Sequence, residues 1–347
     1  MDARPPRINN RYDILDRIGA GGMGVVYRAD DRLTGQHVAL KRVTVTSERS
    51  VFTSTGAYDD FRLALAQEFR MLASLRHPHI ISVLDYGFDD DQQPFFTMDL
   101  LENAQTLLEA GQEKPLHVQI GLLVQALQAL AYLHRRGVIH RDVKPDNMLV
   151  LNGQVRVLDF GLAVAREQIG DVQNMMAGTL AYIAPEILRG QLPGKASDLY
   201  AIGVMAFEMF SGEHPFRITS VDGLIRSIAE DAPNIELLDL SDQLVQVIAK
   251  LLAKDPEERY ADAVDVIQAL QGGHDESAAI RESYLQAAQF VGRAAELKKL
   301  GDAMEQVTGG AGSAWLVGGE SGVGKSRLME EARIQALVVG MLVLRGQ

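Results

Sequence analysis

The sequence predicts an α+β protein of two lobes, an antiparallel β lobe followed by a mainly helical one, with the beginning of an α/β unit appended. Strand-like segments separated by glycine turns fill residues 11–41, and helical periodicity dominates residues 185–270. A glycine-rich loop between an apolar run and a helical pattern marks residues 314–326. The 347 residues, 47% of them hydrophobic and 23% charged, suffice for two domains, the first large enough for two lobes.

The elements follow in order. Residues 11–41 read as strand, glycine turn, strand, a Thr34-Gly35 turn and the alternating strand Val38-Ala39-Leu40-Lys41, an antiparallel meander. Residues 61–76 carry helical spacing, with Phe61, Leu65, Phe69 and Leu72 on one stripe, and stop before His77-Pro78. A long apolar helix covers 116–136. Short strands at 148–151 and 155–158 meet at Asn152-Gly153, a dipeptide that accepts the positive φ angles of a two-residue hairpin turn. After Pro185 the pattern is helical to Leu270, and the polar, glycine-bearing stretch 271–277 reads as a domain boundary. Residues 290–347 then suggest helix, strand, glycine loop, helix and strand.

Composition removes several functions. A net charge of −12 without a dense basic run argues against a nucleic-acid partner. The absence of cysteine excludes disulfides, thiolate zinc sites and a cysteine nucleophile, and fits a reducing compartment. The longest apolar runs, 199–207 and 336–344, fall short of the roughly 18 residues of a membrane span, and no apolar leader follows Met1. The expectation is a cytoplasmic protein with no membrane partner; oligomeric state is not legible.

Four motifs carry chemistry. The stretch Gly19-Ala20-Gly21-Gly22-Met23-Gly24 would let backbone amides close over phosphate oxygens, although by itself it is as readily a bare hairpin. Lys41 ends an apolar strand, where a cation could reach phosphates beneath that loop, with Glu68 as its candidate partner. In isolation such a pair is usually just solvated. The third motif is His140-Arg141-Asp142-Val143-Lys144-Pro145-Asp146-Asn147, and the fourth Asp159-Phe160-Gly161. Phosphoryl transfer needs a carboxylate near the attacking hydroxyl, a cation near the moving group and oxygen ligands for magnesium. Asp142, Lys144, Asn147 and Asp159 supply these in that order.

Together these residues resemble the signature of eukaryotic-like serine/threonine protein kinases, and Gly21-Gly22-Met23-Gly24 is similar to the bacterial branch. The similarity covers about residues 12–270 and implies the bilobal protein kinase fold, with ATP and magnesium (Mg2+) as cofactors and protein Ser/Thr hydroxyls as acceptors. By this resemblance Asp142 orients the hydroxyl and accepts its proton, and Lys144 offsets charge on the transferred group. Asn147 and Asp159 hold magnesium, and Lys41, fixed by Glu68, holds the α- and β-phosphates. The strand 95–98 leads to a hinge at Asp99-Leu100-Leu101, with Met98 guarding the back pocket and Val26, Ala39 and Leu149 sandwiching the adenine. Lys144 and the segment 178–186 disfavour tyrosine as acceptor. Asp198 should brace the catalytic loop, and Glu186 should pair with Arg259.

Two departures stand out. No Ser, Thr or Tyr lies between Phe160 and Gly178, so the loop is not expected to be switched by its own phosphorylation. Glu167 or Asp171 would then put a permanent charge near Arg141, or the acids are simply solvated. Residues 44–60 form a long insertion between Lys41 and Glu68, rich in Ser and Thr, read as a flexible loop or alternatively as an autophosphorylation patch.

Near the C-terminus, Gly319-Glu320-Ser321-Gly322-Val323-Gly324-Lys325-Ser326 fits the P-loop pattern, between an apolar strand at 314–317 and a helix from Lys325. The glycine amides, Gly319 and Gly324 among them, and Lys325 would hold phosphates, with Ser326 on magnesium. Residues 290–297 resemble the lead-in of AAA-like signalling ATPases. The expected organisation is an N-terminal tail (1–11), a kinase domain (12–271), a linker (272–289) and a partial, truncated P-loop ATPase domain (290–347) that does not hydrolyse nucleotide alone. The alternative functions are a pseudokinase-like regulatory module of a signalling ATPase, or a nucleotide-switch ATPase with the kinase as accessory.

Overall fold

The computed structural model describes residues 7–21, 24–43, 69, 72–73, 75–91, 93–159, 180–217, 220–272, 294–308, 312–318, 325–338 and 341. Strands β1 (Arg7–Ile8), β2 (Tyr12–Gly21), β3 (Gly24–Asp31), β4 (Gln36–Val43), β5 (Val83–Phe88) and β6 (Pro94–Asp99) form one antiparallel sheet, ordered β1-β2-β3-β4-β6-β5. The expected meander is its centre. The Thr34-Gly35 turn closes through the Gly35 amide on the Asp31 carbonyl, and its φ of +70° is one that glycine adopts without Cβ strain.

Strand β4 is buried on both faces, and the two-residue period sorts its side chains. Val38 and Leu40 join Tyr12, Ile14, Ala29 and Phe95 in a small outer core. Ala39 and Val43 instead pack with Phe69, Leu72, Phe96 and Met98 in the main core. Directly opposed residues share a face, so the pairs Val26↔Lys41 and Ala39↔Met98 put Val26, Ala39, Lys41 and Met98 on the inner face. At the sheet rim Arg11 donates to Asp31 (2.8 Å) and Asp85 (2.6 Å), tying the start of β2 to the end of β3 and to β5. Of the expected helix 61–76, Phe69, Leu72 and Ala73 are helical and buried, whereas Glu68 and the insertion 44–60 lie outside the described residues.

The second lobe begins with β7 (Gln105–Thr106), α1 (Leu107–Gly111) and α2 (Leu116–Arg135). Helix α2 has the length and apolarity of a membrane span, but its Leu123, Leu127, Leu130 and Leu133 are core residues packed on neighbouring helices. It ends where Gly137 turns to φ +74°, with the Val138 amide on the Leu133 carbonyl and the Gly137 amide on His134, a Schellman closure. The hairpin of β8 (Met148–Leu151) and β9 (Gln154–Val157) turns at Asn152-Gly153, both at positive φ. Gln125 of α2 clamps that turn, donating to the Gly153 carbonyl and accepting from the Val155 amide.

Helices α3 (Pro185–Leu188), α4 (Lys195–Ser211), α5 (Val221–Glu230), α6 (Asp242–Leu251) and α7 (Ala263–Leu270) complete the lobe. Helix α4 is its buried axis, packed on α2 and α6. Helices α8 (Ala294–Thr308) and α9 (Lys325–Val338) pack as a pair, burying Ala303, Leu328, Ala332 and Ala336. The expected strand at 314–317 is not formed: residues 312–318 lack regular structure and Leu316 is 98% exposed. A P-loop strand is held by ladder bonds from neighbours, and no other strand is present among the described residues of this region.

Candidate active site

The loop between α2 and β8 carries the third motif, and Arg141 within it adopts φ +68°. That conformation costs a non-glycine residue about 1–3 kcal/mol and persists only where its surroundings impose it. Asp198, in the first turn of α4, imposes it by accepting from the His140 amide (2.8 Å) and the Arg141 amide (2.9 Å). The expected brace is therefore present. Asp198 also meets Nε2 of the buried His134 at 2.8 Å, and since a carboxylate only accepts, Nε2 carries the proton. Sequence reasoning missed His134, whose only signal was a histidine on the apolar side of α2.

Asp142 is held from two sides. Asn147 Nδ2 donates to both the Asp142 backbone carbonyl and Oδ2 at 2.8 Å, and Lys144 Nζ lies 3.2 Å from Oδ2. A short helical turn, Pro145–Asn147, spaces these residues around the carboxylate. The Leu158 amide bonds to the Asn147 carbonyl (2.9 Å), which brings the next residue, Asp159, beside the loop. From the other lobe the buried Lys41 meets Asp159 Oδ2 at 2.6 Å. Lys41, Asp142, Lys144, Asn147 and Asp159 thus converge. Lys41 pairs here with Asp159; its expected partner Glu68 lies outside the described residues.

The donor set suits a hard divalent cation bound together with phosphates. Asp159 has φ +55°, and its Oδ1 is buried with no partner among the described residues. Asn147 spends its amide hydrogens on Asp142, leaving a carbonyl oxygen outside those bonds. No group of three His, Cys, Asp or Glu gathers among the described residues, and magnesium needs none, because phosphates and waters complete its shell.

Above this cluster the glycine hairpin closes through the pairs Gly19↔Val26, Ala20↔Val25 and Gly21↔Gly24, with Gly22 and Met23 outside the described residues. Gly24 has φ +142°, and a Cβ there would fall 2.0 Å from the Arg42 carbonyl oxygen, so only glycine fits. Val26, Ala39 and Met98 line the inner sheet face, and Asp99 ends β6, followed by the partly buried Leu100 and Leu101. Leu149 sits on the face of β8 opposite the buried Met148 and Val150. Phe160, Gly161 and the loop to residue 179, Glu167 and Asp171 included, lie outside the described residues.

The segment 180–186 is pinned at its far end by the expected pair. Arg259 bonds both oxygens of Glu186 (2.9 and 2.8 Å), deep in the lobe. Nearer the catalytic loop the Tyr182 hydroxyl donates to Glu208 (2.6 Å), a contact that sequence reasoning missed. Burial and then that hydrogen bond push the Tyr182 hydroxyl far above its ordinary pKa, and burial raises Glu208. Of the P-loop, Gly319, Gly324 and the Ser326 side chain lie outside the described residues, and Lys325 opens α9.

The family model described as protein kinase domain matches residues 12–271, and the one described as AAA ATPase domain matches residues 289–347. Among similar proteins, a probable serine/threonine-protein kinase of Streptomyces coelicolor is 34% identical over 288 residues, covering 77% of this chain and 41% of the relative. The serine/threonine-protein kinase PrkC of Bacillus subtilis is 32% identical, over 75% of this chain and 40% of its own length. A probable serine/threonine-protein kinase PknB of Lactococcus lactis is 34% identical, with 74% and 41% covered. The chain spans about two fifths of the length of these relatives.

Proposed function

The chain belongs to the protein kinase family, and on that premise we propose that it transfers the γ-phosphoryl group of ATP to serine and threonine hydroxyls of proteins, with magnesium as cofactor. The observation that carries this reading is the meeting of Lys41, Asp142, Lys144, Asn147 and Asp159 between the two lobes. When bound, ATP supplies the phosphoryl group and magnesium offsets the charge of its phosphates.

The chain's own residues do the rest. Asn147 and Lys144 both hold Oδ2 of Asp142, which fixes the carboxylate that takes up the proton of the attacking hydroxyl. Lys144 is also a cation 3.2 Å from that carboxylate, suited to offset charge on the group in transfer. Asn147 and Asp159 are the metal-binding oxygens, and Lys41 is the phosphate-binding cation. The glycine hairpin would hold the phosphates, while Val26, Ala39, Met98 and Leu149 would supply the apolar surface for the adenine. The names of the relatives support Ser/Thr acceptors. We place the reaction in the cytoplasm, in keeping with the absence of cysteine. The likeness of residues 289–347 to AAA ATPases adds a linked nucleotide-binding module.

Mass-spectrometric mapping of an acceptor protein incubated with this chain, ATP and magnesium tests the reading. Phosphate on Ser and Thr that disappears when the metal is chelated is expected. Phosphate on Tyr alone, or labelling that persists without divalent metal, would refute it.

A further inference from the structure

The turn that follows α4 reaches the segment facing the acceptor. Gly212 ends α4 at φ +76°, and His214, just beyond, sets Nε2 3.0 Å from the Ala181 carbonyl oxygen and Nδ1 3.0 Å from that of Phe216. The Phe216 amide lies 3.2 Å from the same Nδ1. A carbonyl can only accept, so Nε2 carries a hydrogen in either charge state. A neutral ring takes the Phe216 amide at Nδ1, and an imidazolium donates there to the Phe216 carbonyl. The bond to Ala181 survives both.

His214 is braced from behind. Its ring meets Phe216 edge-on, with centroids 5.9 Å apart, and Phe216 lies under the Lys254 ammonium at 4.0 Å. That ammonium also donates to the Ser227 and Ile228 carbonyls of α5 (3.2 and 2.6 Å). Residues 181 and 182 are therefore tied to the end of α4 and the turn that follows it.

We propose that His214 is a positioning residue for the protein substrate: its bond to the Ala181 carbonyl fixes residues 180–186 where the acceptor chain must lie for its hydroxyl to meet Asp142. The inference rests on the kinase function proposed above. Glu208 holds the neighbouring Tyr182 side chain, but only His214 holds the backbone at residue 181 among the described residues. Nothing in the motifs that define the nucleotide site requires a histidine at this position.

The test compares the full chain with its His214→Leu and His214→Gln variants, using myelin basic protein as acceptor. His214→Leu should raise KM for the acceptor about tenfold, the factor that one ordinary hydrogen bond supports, with KM for ATP unchanged. His214→Gln, which retains a donor, should recover most of the loss. Hydrogen exchange of the amides in 180–186 should quicken in His214→Leu while those of α4 stay protected. An unchanged acceptor KM, a Gln variant as impaired as Leu, or a parallel rise in both KM values would overturn the role of His214 alone. No transfer by the parent chain would overturn the kinase function and this role with it.

Discussion

Arg259→Ala should damage folding before chemistry. The Arg259 guanidinium makes two bonds to Glu186 and others to the carbonyls of Ala253 (2.7 Å) and Ala196 (2.9 Å), and it lies 4.8 Å over the Tyr200 ring. Glu186, its Oε1 also taken by the Ser197 hydroxyl (2.7 Å), is buried. Truncation leaves that carboxylate with no counter-ion, a loss of about 3–5 kcal/mol by the general behaviour of buried pairs broken on one side. For a domain of this size each kcal/mol moves Tm by about 2–4 °C, so a fall of roughly 6–20 °C is expected by calorimetry. The acid limb supplies a second readout. Burial acts to raise the Glu186 pKa, but hydrogen bonds from Arg259 and Ser197 outweigh it and hold the carboxyl below its ordinary 4.5. Because the folded value is the lower one, this stabilisation is complete above the ordinary value and is lost as pH falls through the folded value. Arg259→Ala should flatten that loss. A Tm within about 3 °C of the parent, the effect of an exposed ion pair, would refute the reasoning.

Asp198→Ala should remove the acceptor of the His140 and Arg141 amides and let the strained loop relax, lowering kcat at least about tenfold with KM for ATP little changed; steady-state kinetics decide. Gly24→Ala should weaken ATP binding, read by nucleotide titration, because its Cβ would press on the Arg42 carbonyl and distort the hairpin. Removal of residues 278–347 should leave phosphoryl transfer to an added acceptor largely intact; its loss in a folded, soluble protein would show that the kinase depends on the appended segment.

How much was legible depended on the range of each contact. Asp142, Lys144 and Asn147 share one loop, so their meeting is a matter of local spacing. Lys41 was legible as the cation that ends an apolar strand, and the structure adds that the two-residue period of β4 puts it on the inner face with Ala39. Asp198 and the Glu186–Arg259 pair were reached only through resemblance, since each joins residues more than 50 positions apart. The ties of Tyr182 to Glu208 and of His214 to Ala181 had no such template and depend on how α4 and its following turn pack on the segment. The run at 314–317 shows the opposite failure. Its apolar pattern suits a strand, but a strand also needs neighbours, which the described residues do not provide.

The most direct measurement is transfer of radiolabel from ATP, with magnesium, to an acceptor protein by the parent chain and by Asp142→Asn, alongside nucleotide titration of both. The account predicts comparable ATP binding by the two proteins and labelling by the parent at least about 10²-fold faster, the loss expected of a missing proton acceptor. Equal labelling by the two would contradict it.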